Sequence, residues 1–274
     1  MELGLRGAAV CVSGGTKGLG REAALAFARE GARVVVSGRG AESVDQTVEA
    51  LRQEGSPDAF GLQVDVRDLA SIEQLFQAIG DRWGELNTLI NMAGPTEPSP
   101  GLTFADVPDE LWQYYLDVGI MSIVRCTRCA VPLMRKAGWG RVINISSISG
   151  RIGLPSEAPY MTAKGGLNAL SKNMAWALAK EDILVNTVTP GVFRTEGTRQ
   201  YMELSGVAER FDPDDLAAVW AWTRESSTRH GGVMGRVAVA EELAPLLLLL
   251  GSKANSYIVG ANIPVDGGTD VSTG

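Results

Sequence analysis

Seven short runs rich in aliphatic and β-branched residues punctuate this chain: Ala8–Ser13, Arg33–Ser37, Ala59–Asp65, Thr88–Asn91, Arg141–Ser146, Leu184–Thr189 and Asn262–Val265. The segments between them are longer and carry apolar residues at helical spacing. Leu19, Ala23, Phe27 and Ala28 mark one such face, and Leu69, Ile72, Leu75, Phe76 and Ile79 mark another. A helix between two strands gives the chain the length to cross back over the sheet, so successive strands run parallel. The pattern therefore predicts an α/β fold, a doubly wound parallel sheet with helices on both faces. No linker, repeat or low-complexity run interrupts the chain, and residues 1–274 read as a single domain.

Two stretches break the alternation. Pro95-Thr96-Glu97-Pro98-Ser99-Pro100 is a loop by composition. Phe193–Gly235 is too long for an ordinary connection, and we expect helices there and a substrate flap at about residues 196–235.

Composition narrows the function. Hydrophobic residues make up 45% of the chain, enough for a large core, while the net charge of -7 is a poor match for nucleic acid or an anionic membrane surface. Met1-Glu2-Leu3-Gly4 lacks the basic segment and apolar run of a secretory signal, and Leu246–Leu250 is far too short to span a bilayer. The expectation is a cytoplasmic protein. Cys126 and Cys129 form a C-x-x-C inside a helical pattern with no second ligand pair, so they read as small buried apolar groups and no metal is expected. His230 is the only histidine and lies in His230-Gly231-Gly232, which reads as a surface loop. An H-E-x-x-H zinc site is excluded, and a Ser-His-Asp triad would have to use that one residue. The chemistry falls to Ser, Tyr, Lys, Asp or a bound cofactor.

The first strand runs into Ser13-Gly14-Gly15-Thr16-Lys17-Gly18-Leu19-Gly20, and a helix follows. Glycines let backbone approach a pyrophosphate, and the helix N-terminus offers free N–H groups and the positive end of its dipole. The sheet is thereby Rossmann-like.

The spacing Gly14-x-x-x-Gly18-x-Gly20 resembles the T-G-x-x-x-G-x-G turn of the short-chain dehydrogenase/reductase family, with Ser13 in place of Thr. Five further segments follow that family's order: Asp65-Val66, Asn91-Met92-Ala93-Gly94, Ser147 with Tyr160-Met161-Thr162-Ala163-Lys164, Pro190-Gly191-Val192-Phe193-Arg194-Thr195, and Val265-Asp266-Gly267-Gly268. The resemblance covers nearly the whole chain. It implies that Gly14, Thr16, Lys17, Gly18, Leu19 and Gly20 hold the nucleotide and that Asp65 and Val66 meet the adenine. It also implies that Asn91, Ala93, Gly94, Pro190, Gly191, Val192 and Thr195 line the rest of the cofactor site. The end of the second strand, Val36-Ser37-Gly38-Arg39, has no acid to hold ribose hydroxyls. Arg39 can fork onto a 2′-phosphate, with Lys17 as a second cation, so NADP(H) is expected over NAD(H).

Tyr160 and Lys164 are four residues apart, which puts both on one helix face. A free phenol titrates near pH ~10, and a neighbouring ammonium is expected to lower that value. Tyr160 could then exchange a proton with a substrate oxygen. By resemblance, Lys164 also holds the nicotinamide ribose, and Ser147 orients the substrate oxygen. The family's catalytic Asn is absent: Gly119 of Val118-Gly119 occupies its position. A water, a backbone shift or Asp117 takes its place, or the proton relay is weakened. Met92 likewise replaces the second Asn of N-N-A-G.

In the flap, Leu216, Val219, Trp220 and Thr223 share a helical face, with Trp222 nearby. The tryptophans either pack the flap onto the domain or wall an apolar pocket. No Arg/Lys cluster is evident for a carrier phosphate, which favours a lipophilic or cyclic ketone or secondary alcohol. The resemblance implies a homotetramer or homodimer built on the helices at Pro108–Lys136 and Glu157–Lys180. Two other functions fit the same motifs: a non-redox epimerase or dehydratase, and a nucleotide-binding regulatory module without catalysis.

Overall fold

A computed structural model describes residues 2–95, 102, 104–152, 157–204, 206–225 and 232–270. The expected loop at 96–100 and His230 with Gly231 lie outside the described residues. The seven strands are β1 (Ala9–Ser13), β2 (Arg33–Gly38), β3 (Ala59–Gln63), β4 (Thr88–Asn91), β5 (Gly140–Ile145), β6 (Ile183–Pro190) and β7 (Asn262–Val265). They form one parallel sheet in the order β3-β2-β1-β4-β5-β6-β7. The chain winds outward from β1 in one direction and restarts at β4 in the other, so the loops after β1 and β4 part at the sheet's carboxyl edge. Ligands bind at such a switch point.

Helices α1 (Gly18–Arg29), α2 (Ala41–Gln53), α3 (Leu69–Trp83), α4 (Asp109–Leu116), α5 (Ser122–Ala137) and α6 (Ala158–Leu178) follow the first five strands. The flap adds α7 (Glu196–Leu204) and α8 (Leu216–Glu225), and α9 (Ala244–Leu250) precedes β7. Each main helix buries its apolar stripe. Phe27 and Ala28 of α1 join Val10, Val12 and Leu247 in the core on one side of the sheet, while Ile72, Leu75, Phe76 and Ile79 of α3 join Cys11, Val35 and Leu89 on the other. Alternate residues of β1 thus feed opposite cores, as the two-residue period of a strand requires. Leu69, expected on the buried face, is exposed because it opens α3 just after Asp68, whose carboxylate accepts from the Ala70 N–H at 3.0 Å. Cys126 is buried in α5 with its thiol pushed up to about 12 by burial, and no metal-binding cluster occurs among the described residues. No described helix is long and apolar enough to cross a membrane.

Met202, Val219, Trp222 and Val237 form a small separate core beside α7 and α8. Trp222 is 4% exposed, and Trp220 donates its indole N–H to the Val237 carbonyl at 3.2 Å. Of the two roles open to these tryptophans, packing is the one the fold gives them.

Candidate active site

The turn after β1 is held from below by β2. Gly14 N–H and Gly15 N–H both donate to the Ser37 carbonyl, at 2.9 and 3.1 Å. Gly14 has a φ of +77°, and a Cβ there would lie 2.7 Å from the Ala93 nitrogen, so only glycine permits this approach of the β1 and β4 loops. A Cβ at Gly20 would sit 2.1 Å from the Gly14 carbonyl oxygen, which fixes α1 close behind the turn. The result is a cleft of about 320 Å³ at the switch point, a volume suited to a small molecule.

Of the residues expected to hold a nucleotide, Gly14, Thr16, Lys17, Arg39, Asp65, Val66, Ala93 and Gly94 line this cleft. Gly18 and Leu19 begin α1 just behind it. Thr195 comes within 3.6 Å of the position a Gly18 Cβ would take, so the segment leading into α7 lies beside the turn. Pro190 ends β6, and Gly191 packs on Asp266: a Cβ there would be 2.8 Å from the Asp266 Cα. Val192 packs against the flap core. Asn91 lies at the end of β4 beneath the cleft. Its amide donates to Asn144 Oδ1 at 2.8 Å inside the sheet, which ties β4 to β5 below the cleft.

The cleft also uses residues the sequence did not single out for it. Ser37, Gly38, Gly40, Ser43, Val64, Arg67, Met92, Tyr114 and Val118 complete the lining. Tyr114 and Val118 are four apart on a helical segment, a spacing that could have flagged them. Arg67 binds Asp65 through its guanidinium at 2.6 Å, holding that carboxyl below its usual range, with Arg39 adding to the effect. A nucleotide fits this lining on three grounds: a glycine cradle that a side chain at Gly14 would fill, the cations Lys17, Arg39 and Arg67 along its wall, and the buried Ser37 hydroxyl. That hydroxyl, 1% exposed, has no hydrogen-bond partner. A side chain at position 38 would crowd Thr16. A Cβ at Gly38 would meet Thr16 Oγ1 at 2.5 Å and Thr16 Cγ2 at 2.9 Å.

Outside the cleft's lining but beside it, with Lys164 Nζ 3.8 Å from where a Gly94 Cβ would lie, the turn after β5 and helix α6 bring Ser147, Tyr160 and Lys164 together. Ser147 is extended at the start of a short helical turn, and its Oγ accepts from the Ser149 N–H at 3.2 Å. The Tyr160 phenol is hydrogen-bonded to Ser147. One turn along α6, Lys164 is 4% exposed; its Nζ lies 5.8 Å from the Tyr160 ring centre and donates to the Ile145 carbonyl at 2.8 Å. Tyr115 meets Tyr160 edge to face, with ring centres 6.1 Å apart.

The electrostatics depart from the expectation that Lys164 lowers the phenol. Burial pushes Tyr160 up to about 12, against the Ser147 hydrogen bond, with Glu157 and Tyr115 adding to the rise. Burial also pushes Lys164 down to about 8. The ammonium faces a backbone carbonyl, and desolvation of both groups outweighs their attraction. The missing Asn also has a structural counterpart. Asp117–Met121 forms a π-helical turn between α4 and α5, and a Cβ at Gly119 would lie 2.9 Å from the Ala163 Cβ. The backbone has closed onto α6 where a side chain would otherwise stand.

Comparison with known proteins agrees with this geometry. A family model described as "Enoyl-(Acyl carrier protein) reductase" matches residues 14–270. "Uncharacterized oxidoreductase YvrD" of Bacillus subtilis is 35% identical over 98% of each chain. "3-oxoacyl-[acyl-carrier-protein] reductase FabG" of Thermotoga maritima is 29% identical over 96% of this chain and 98% of its own. Among solved structures, L-sorbose reductase from Gluconobacter frateurii, complexed with NADPH and L-sorbose, superposes with a TM-score of 0.89 at 27% identity, covering 99% of this chain and all of that one. Fold, motif order and these likenesses agree, and the chain belongs to the short-chain dehydrogenase/reductase family of oxidoreductases.

Proposed function

We propose that this chain interconverts a ketone and a secondary alcohol using NADP(H), with Tyr160 as the acid/base. The observation that carries the reading is the meeting of Ser147, Tyr160 and Lys164 beside a cleft whose glycine turn suits a dinucleotide. Bound NADPH would supply the hydride. The residues supply placement and the proton. In the reductive direction the neutral phenol of Tyr160 donates its proton to the oxygen that becomes the alcohol, and its raised pKa keeps that proton in place until the oxygen becomes basic. Ser147 donates a second hydrogen bond to the same oxygen, and the Ser149 N–H on its Oγ orients it for that task. Lys164 would turn from the Ile145 carbonyl to the ribose hydroxyls of the cofactor. Its lowered pKa lets it serve as a proton donor that reloads Tyr160.

Arg39 and Lys17, with Arg67 beside them, favour the 2′-phosphate, and the G. frateurii reductase and a Pseudomonas aeruginosa RhlG/NADP complex bind that type of nucleotide. The flap at about 196–235 would cover the substrate. Trp222 packs in the small core beside α7 and α8, and the preference for a lipophilic small molecule rests on the sequence's lack of an evident Arg/Lys cluster for a carrier phosphate. We also read the molecule as a homotetramer or homodimer joined through α4, α5 and α6. Trp176, 84% exposed on α6, supports that reading, and light scattering tests it. The test of the activity is nicotinamide absorbance across a panel of ketones and alcohols. Turnover that survives in Tyr160→Phe would remove Tyr160 from its role, and nucleotide binding without turnover of any carbonyl would favour a non-redox function.

A further inference from the structure

Tyr160 is the third residue of α6, in a first turn that receives no side-chain cap. The first four N–H groups of a helix have no partner within it, so this turn is held less firmly than those behind it. The Ser147 hydrogen bond fixes where the phenol oxygen lies. It leaves the ring plane free, because the torsion that turns a tyrosine ring has broad minima. A second point of support comes from Tyr115 on α4. Tyr115 is 4% exposed, and its ring meets that of Tyr160 edge to face, with centres 6.1 Å apart at 79°. Such a pair holds a definite ring angle, since the positive edge of one ring seeks the negative face of the other.

Tyr115 reaches Tyr160 because α4 and the π-helical turn close onto α6 along one seam. Four residues after Tyr115, a Cβ at Gly119 would stand 2.9 Å from the Cβ of Ala163, which is three residues after Tyr160. At the next step, Ile120 Cδ1 lies 3.3 Å from where a Gly166 Cβ would be. A side chain at position 119 would wedge the two segments apart and lift Tyr115 off Tyr160. On its other side Tyr115 stands perpendicular to Tyr114, with ring centres 5.6 Å apart, and Tyr114 lines the cleft. We propose that Tyr115 is a positioning residue for the proton step: its ring, brought in by the bare backbone at Gly119, holds the Tyr160 ring at the angle from which the phenol meets the reacting oxygen. This rests on the redox reading of the site given above, and it assigns the role to the ring of Tyr115 and not to its hydroxyl.

The test is steady-state kinetics with NADPH and a ketone that the wild type reduces. The rate is counted per NADPH-binding site by fluorescence titration, so that unfolded protein does not enter it. Tyr115→Leu should lower kcat by about ten- to a hundredfold, the cost of a small misplacement of a reacting group. The KM for the ketone and the Kd for NADPH should stay within about twofold, because the contact acts on the proton step and not on binding. Tyr115→Phe keeps the ring and should restore kcat to within about threefold of the wild type. Gly119→Ala should lower kcat in the same way by forcing the seam open. Moving that methyl across the seam, as Gly119→Ala with Ala163→Gly, should recover the rate, since Ala163 is the one close neighbour of the new Cβ. If Tyr115→Leu does not fold, the two Gly119 variants and Tyr115→Phe carry the test. A wild-type kcat in Tyr115→Leu, a Tyr115→Phe as slow as Tyr115→Leu, or a methyl exchange that recovers nothing would overturn the assignment of the Tyr115 ring and leave the redox reading standing. No reduction of any ketone by the wild type would overturn both.

Discussion

Replacing Gly38 with Asp is the obvious route to an NADH enzyme, and the structure predicts that it fails unless Thr16 is shortened as well. Asp at 38 would offer its carboxylate to the ribose hydroxyls of NAD and repel the 2′-phosphate of NADP. Its Cβ, however, would stand 2.5 Å from Thr16 Oγ1 and 2.9 Å from Thr16 Cγ2. Overpacking of that kind costs ~1–3 kcal/mol, and at roughly 2–4 °C per kcal/mol for a chain of this size the Tm should fall by roughly 2–12 °C. Removing the Arg39 fork costs a further ~1.5–3 kcal/mol of NADPH binding, or roughly one to two decades in Kd. Gly38→Asp with Arg39→Ala should therefore lose NADPH, lose stability and gain little for NADH. Adding Thr16→Ala removes both close atoms and leaves only the Thr16 Cβ position, 3.3 Å from the new Cβ. The triple variant should recover most of the Tm and bind NADH more tightly than the double variant does. Fluorescence titration of both nucleotides with thermal melts of the three proteins decides it. A double variant with wild-type Tm and tight NADH binding would refute the steric argument, whereas a wild type that prefers NADH would refute the reading of Arg39 and Lys17 instead.

Tyr160→Phe should leave NADPH binding within about twofold and lower kcat by at least roughly a hundredfold, the ordinary worth of general acid/base catalysis; single-turnover kinetics with a reduced ketone report it. The buried Lys164, lowered to about 8, makes stability rise with pH between there and the free-lysine value of ~10.4, because the unfolded chain holds the extra proton in that window. Tyr160, raised to about 12, acts oppositely above pH ~10, where the folded chain holds the extra proton and stability falls as pH rises. Denaturant midpoints across that range should lose the rising limb in Lys164→Met and the falling limb in Tyr160→Phe. Trp222→Ala should cost ~3–5 kcal/mol through the cavity it leaves in the flap core, with similar effects on kcat/KM for small and bulky ketones. A selective loss for bulky ketones would return Trp222 to the pocket wall. Gly119→Asn, which restores the family's side chain at a place 2.9 Å from Ala163, should destabilise the protein by ~1–3 kcal/mol. An Asn variant as stable as wild type, by thermal melt, would show that the π-helical turn has room to spare.

The strands and their parallel direction were legible in the sequence because both depend on local spacing. All seven expected runs became strands, and they pair in parallel because a helix-length segment lies between each strand and the next one in the chain. The glycine turn and the Tyr160–Lys164 pair were legible for the same reason, since both are patterns within a few residues. What spacing cannot report is the company each side chain keeps. Asn91 reads as a cofactor residue, yet its amide is spent on Asn144 of the neighbouring strand, a partner chosen by sheet order. Trp222 reads equally as wall or packing until α8 is laid against Met202 and Val237. The balance at Tyr160 is of the same kind. A lysine one turn away is a local fact that favours a low phenol pKa, but the sign is set by how much water and which dipoles surround the two groups. Burial of both, with the ammonium drawn to the Ile145 carbonyl, reversed it. Desolvation depends on every element packed around a group, and so only the tertiary structure decides it.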